Sequence, residues 1–366
     1  MNDSKWIGST DGDEMLDFVA DRVTPRQWLL IAAAHVRKLW DLLPEGPLRD
    51  AVDAVEMSEK PLAAKSRSAW LKKIAAATPK AVATVQQAQR EIVKSADPDS
   101  ADVDGPVLER PSQSAPAFPL FRVASTHARH SIERIGEAVQ QAAEAVNRLL
   151  AEPSESMMDR VRESVGQATE TRTRANQYAA DCLRMKQEGD DTADRVTPKT
   201  ARLEESKAME FVRRIEEGRN QNAGDWSEEE KREKAARKQL ARVVREVLGN
   251  PFKPPRFEDS WRTTNAVEIA KAIFAERAFD RLPILADALL DADCDEEQVL
   301  RHCRGTEIGL KEPVQHIRGC WVVELALGRW SPVPPPAPGA KPRKRRELPD
   351  DFELDLKLDD DETGFA

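Results

Sequence analysis

Three of the chain's four cysteines and two of its five histidines fall within the stretch DADCDEEQVLRHCRGTEIGLKEPVQHIRGCWVVELALG, residues 291 to 328. Thiolate and imidazole are the borderline-soft donors that suit zinc, and a structural zinc site takes four of them in a tetrahedron. The set read as candidate ligands is Cys294, Cys303, His316 and Cys320. If HIRGCWVVELALG is helical, His316 and Cys320 lie one turn apart and reach a common point. His302, adjacent to Cys303 on a helix, points elsewhere. The stretch lacks a Cys-x2-Cys knuckle, and free cysteine is among the most often buried residues. Apolar core is therefore the first reading of these thiols, structural zinc the second, and a reactive thiol at Cys303 or Cys320 the third.

Elsewhere the chemistry thins out. His127 and His130 stand three residues apart without a neighbouring acid or thiol, which reads as solvated surface. His35 sits on an apolar stripe and reads as a hydrogen-bonded core residue. There is no glycine-rich phosphate loop, no His-Glu-x-x-His and no Gly-x-Ser-x-Gly elbow. No catalytic residue and no organic-cofactor site is singled out.

The elements that must position these residues are helical. Aromatics make up 5% of 366 residues, glycine is sparse at 16, and charged residues reach 33%, a mixture that favours amphipathic helices over sheets. No apolar run is long enough to span a membrane and no signal peptide is visible, so the expected location is the cytoplasm, where thiols stay reduced. The formal charge of −9 is concentrated at the C-terminal end, where nine acids and one lysine follow the basic run KPRKRR. The remaining body is mildly acidic and has no general attraction for nucleic acid, which leaves only that basic run as a weak nucleic-acid contact.

Along the chain, the hexapeptide ADRVTP occurs at 20–25 and 193–198, and each copy reads as a helix start with Thr as cap and Pro in the first turn. Two helices are expected at 62–77 and 79–95, the second opened by Pro79, followed by a Pro/Asp/Ser linker at 98–118. Then come heptads: Ile132, Ile135, Val139, Ala142, Val146 and Leu149, and after Pro153 a second stripe of Met158, Val161, Val165, Ala168, Ala175, Ala179 and Cys182. A short join favours an antiparallel hairpin, with homodimerisation through residues 132–182 as the competing use of the coiled-coil seam. A charged loop is expected at 186–192, followed by a helix started by a Ser227/Glu230 capping box and ended by Gly249 and Pro251.

Two blocks, WIGSTDGDEMLDFV near the N-terminus and AFDRLPILADAL, LRHCRG and HIRGCWVVELALG near the C-terminus, resemble a large uncharacterised family of planctomycete bacterial proteins. The resemblance covers about 60 residues at the front and 80 at the back. It implies no particular activity. Where that family often carries a cysteine pair in its first long helix, this chain has Ala34 and His35, so a shared soft-ligand site implied by the resemblance would be altered or lost here.

The sequence thus predicts an all-α multi-helix bundle with a long central helical hairpin and a disordered acidic C-terminal tail. Its parts are an N-terminal unit at 1–97, the linker, central helices at 119–250, a C-terminal unit at 251–330 and a tail at 331–366. The expected function is a non-enzymatic interaction or scaffold protein working through helical surfaces, with a protein partner docking on tail residues 347–366. A metal-supported or thiol-dependent enzyme built on the Cys/His cluster is the alternative.

Overall fold

The computed structural model describes residues 1–94, 118–197, 199–223, 226–306 and 316–334. Among these there are thirteen α-helices, three short 3-10 turns and no strand. The helices are α1 (Asp3–Gly8), α2 (Gly12–Val19), α3 (Pro25–Val36), α4 (Pro47–Met57), α5 (Ala64–Lys94), α6 (Phe118–Leu149), α7 (Glu155–Arg195), α8 (Ala201–Ala223), α9 (Trp226–Leu248), α10 (Thr264–Glu276), α11 (Leu282–Leu290), α12 (Glu297–Cys303) and α13 (Trp321–Ala326). The all-α expectation holds. Most of the linker and tail readings, and the basic run, lie outside the described residues.

The heptad stripes form the largest helix–helix interface among the described residues. Helices α6 and α7 pack along their length, and every named stripe residue from Ile132 to Cys182 is buried. The join is a turn at residues 150–154, too short for anything but a return beside α6, so the seam closes within one chain. Alanines on both stripes keep the backbones close. Arg172, the polar interruption, reaches out to Asp41 at 2.6 Å.

Several boundaries differ from the expectations, each for a local reason. The two helices expected on either side of Pro79 are one helix, α5, with Pro79 inside it. Packing of α5 against α6 carries the chain through the missing amide bond, and Thr78 returns its hydroxyl to the carbonyl of Ile74 at 2.8 Å. The first ADRVTP copy is a full capping box on α3, with Thr24 and Gln27 bonded reciprocally. The second is different: its Asp194 and Arg195 finish α7, which absorbs the expected charged loop, and α8 starts only at Ala201. Thr192 is buried there, and that burial against the bundle keeps the charged stretch helical. His127 is buried rather than solvated, edge-on to Tyr178 with ring centroids 5.3 Å apart. His35 is the core histidine expected, bonded to the carbonyl of Ile31 at 3.1 Å, and burial holds its pKa well below the ordinary imidazole range.

Three apolar clusters result among the described residues. The first joins α2, α3 and α4 to α9 and to the adjoining ends of α6 and α7. The second, from Trp261 to Ala326, is the C-terminal unit, and the third packs the far end of the hairpin against α8. The front and back blocks meet through buried ion pairs. Arg26 of α3 binds both carboxylate oxygens of Glu324 at 2.9 Å each. Glu56 of α4 receives Arg37, Arg277 and Arg318.

Candidate metal centre

The end of α9 carries Glu246 out of the first cluster and against the second. Val243, Val244, Val247 and Leu248 are buried around it, so this acid lies on the apolar side of its helix. His302 comes from α12, whose start is fixed by Glu296 accepting from the amide of Gln298. Gly305, at φ +70°, then turns the chain out of that helix. His316 and Cys320 come from the segment leading into α13, and this segment is not helical: Cys320 is the residue before the first turn, with φ −46° and ψ 121°. The one-turn spacing expected for the pair is therefore replaced by a tight loop. Gly319 makes that loop possible, with φ +107°, and a Cβ there would stand 3.1 Å from Leu30 on α3.

The four side chains converge. His302 Nε2 lies 3.2 Å from Cys320 Sγ and 3.4 Å from Glu246 Oε2, while His316 Nδ1 lies 2.9 Å from Glu246 Oε1. Their candidate ligand atoms all fall within 4.8 Å of one another, and the group can hold a metal ion. A tetrahedral zinc with bonds of roughly 2.0 to 2.3 Å sets its ligand atoms about 3.3 to 3.7 Å apart, so small side-chain adjustments suffice. The donor chemistry also fits the surroundings. Glu246 and His302 are fully or nearly fully buried and His316 is 10% exposed. A dication with one carboxylate and one thiolate is a neutral unit, which such a site can tolerate where separate charges would be costly.

The electrostatics of the bare side chains bind the group tightly together. Burial alone would raise the Glu246 carboxyl, but the imidazoles of His302 and His316 outweigh it and hold it at about 2. Burial would lower His316, yet hydrogen bonds with Cys320 and Glu246 lift it to about 9. His302 is likewise driven well above the ordinary range, against burial, by Glu246 and Cys320. These are the signs of a buried carboxylate paired with protonated imidazoles, so a cation bound there would displace protons.

His302 is not placed as the base of a nucleophilic relay. In a Cys/His/acid arrangement the acid holds the ring nitrogen opposite the one that faces the thiol. At His302, Glu246 and Cys320 meet at the same nitrogen, and the other faces the indole Nε1 of Trp321 at 3.2 Å, whereas His316 holds Glu246 through Nδ1 and is also hydrogen-bonded to Cys320. An indole N–H only donates, so it cannot orient a base as a carboxylate would.

Of the residues expected from sequence, His316 and Cys320 enter the group. Cys294 and Cys303 do not: both are buried in the apolar cluster of the C-terminal unit. Burial pushes the Cys303 thiol up to about 12 and raises Cys294 too, so both remain protonated thiols in core positions. His302 joins the group although its neighbour Cys303 points into the core, because α12 is covered on two sides and both residues are buried. Glu246 lies 56 residues upstream of His302, with only its place among buried valines to mark it.

Arg318, between the two ligands of the loop, anchors it. Its guanidinium donates to the carbonyls of Phe274 at 3.0 Å and Ala275 at 2.8 Å and to Asp53 at 2.9 Å. No family model matches the chain, and neither does any curated protein or solved structure.

Proposed function

We propose that the protein is a non-enzymatic helical scaffold whose front and back blocks are locked by a zinc ion held by Glu246, His302, His316 and Cys320. The observation that carries this reading is the convergence of four donors, three of them buried and His316 partly so, from three separate parts of the chain. Four protein ligands fill a tetrahedron, and a closed donor set supports a structural role over a catalytic one, which would keep a position open for water or substrate. The buried state of Cys320 weighs against a thiol enzyme for the same reason of access. Partner binding falls to the long outer faces of the bundle and to tail residues 347–366, and the resemblance of the two ends to one planctomycete family fits blocks that evolve as a packed pair.

The test is metal content. Protein purified without chelators is expected to carry close to one equivalent of zinc, to lose it in Cys320→Ser, and to melt at lower temperature after chelation. Less than about a tenth of an equivalent, with unchanged melting on chelation and no uptake of added zinc, overturns the reading.

A further inference from the structure

Helix α5 departs from its neighbours in charge. Its 31 residues carry seven basic side chains and one acid, Glu91, whereas α7 and α8 hold acids and bases in near balance. One side of α5 is committed to the bundle: Ile74 and Ala81 are buried, and Trp70, Leu71, Val82 and Val85 pack partly buried on the first cluster. The opposite side follows from the helical period. Lys65, Ala69, Lys72, Ala76, Lys80 and Ala83 recur at spacings of three and four, so they share one face, and all six are exposed. Lys73, also exposed, stands beside them with its Nζ 4.5 Å from the centre of the Trp70 ring.

None of these four lysines pairs with an acid among the described residues, although Arg67 of the same helix meets Glu152. A row of like charges along about 22 Å of helix repels itself, and a covering polyanion removes that repulsion. The alanines between the lysines let such a chain come close to the helix. The protein supplies a polyanion within reach. Residues 347–366 hold nine acids and one lysine, more than the five basic residues of KPRKRR before them can neutralise. There Leu354 and Leu356 alternate with Glu353 and Asp355, which offers acids to the lysines and apolar groups to the alanines. The last described residues also run past the entry to α5: Arg329 lies 3.9 Å from Glu59, five residues before Ala64, and the carbonyl of Ser331 accepts from Gln27 at 2.9 Å. Glu347 follows Pro334 by thirteen residues. That length reaches up to about 45 Å, about twice the length of the lysine row.

We propose that acidic residues 347–366 cover the exposed lysine face of α5 in the same chain. The contact pairs exposed charges, so salt screens it. It is independent of the metal centre, and its failure leaves that reading untouched. A protein partner that takes the tail does so in competition with α5.

Carbodiimide cross-linking of the full chain, which joins carboxylates to amines already in contact, tests this when read by peptide mass spectrometry. A mixture of isotopically light and heavy protein separates links within a chain from links between chains. The expected result is links within one chain from residues 347–366 to Lys65, Lys72, Lys73 or Lys80, several-fold more frequent than links to Lys199 or Lys234, which are exposed elsewhere. They should disappear at about 1 M salt. They should also fall several-fold in the double variant Lys72→Glu, Lys80→Glu of unchanged helicity. Absence of these links, an even spread over exposed lysines, or links found only between chains overturns the inference. So does a single-stranded oligonucleotide that binds through these lysines where no tail link forms, which assigns the face to nucleic acid. Should the double variant fail to fold, the wild-type links and their salt dependence decide.

Discussion

Gly319 shows how much of the centre depends on a residue with no chemistry of its own. Its φ of +107° lets His316 and Cys320 face the same point from a non-helical loop, and its bare Cα seats that loop on Leu30. Gly319→Ala introduces both backbone strain and a close contact, for an expected loss of about 1–3 kcal/mol in stability. Zinc affinity should fall with it, since the two ligands shift together. Urea unfolding with and without zinc checks this, and a variant as stable and as tightly metallated as the parent would show that the loop's geometry is not what aligns the ligands. At this scale the sequence was only partly legible. His316 and Cys320 could be paired from their spacing, though through a helix that does not form: Gly319 instead makes a turn. Cys294 and Cys303 carried the right donor atoms and were placed by apolar packing. Glu246 was invisible because the neighbour that gives it meaning is 56 residues away.

Among the elements, α4 and the loop before α13 carry the join between the two ends of the chain. Glu56 is almost fully buried among Arg37, Arg277 and Arg318, and burial raises its carboxyl against the pull of Arg37 and Arg318. Arg318 is itself buried and holds the ligand-bearing loop. Glu56→Ala would leave the buried Arg318 and the partly buried Arg37 and Arg277 to share the Asp53 carboxylate alone, at an expected cost of about 3 kcal/mol. Replacing Glu152, which meets Arg67 from a largely exposed position, should change stability by less than about 1 kcal/mol. Chemical denaturation of the two variants side by side makes the comparison, and equal effects would mean that the buried cluster is not a structural join. The helices themselves were the most legible part of the sequence. Heptad spacing marked the seam of α6 and α7 because one period runs through each helix, and the capping box of Thr24 and Gln27 marked the start of α3. What the pattern could not supply was continuity. Pro79 and the charged stretch around residue 190 look like breaks locally, yet packing against neighbouring helices carries both inside longer helices.

For the molecule as a whole, α9 is the connector. Its Leu240, Ala241 and Val244 complete the first apolar cluster and its last turn delivers Glu246 to the second. A metal held at that point would tie the helical body to the C-terminal residues, and the pairs of Arg26 with Glu324 and of Arg318 with Glu56 close the same junction from the N-terminal side. Metal binding would then be coupled to docking of the two blocks, because a site assembled from distant parts exists only when those parts are packed. The measurement that addresses this account most directly is zinc K-edge X-ray absorption on the metallated full-length chain. It should find a single sulfur neighbour at roughly 2.3 Å and three nitrogen or oxygen neighbours at roughly 2.0 to 2.2 Å. Two or more sulfurs would contradict the assignment, because Cys294 or Cys303 would then have to leave the core and displace Glu246 or a histidine from the metal.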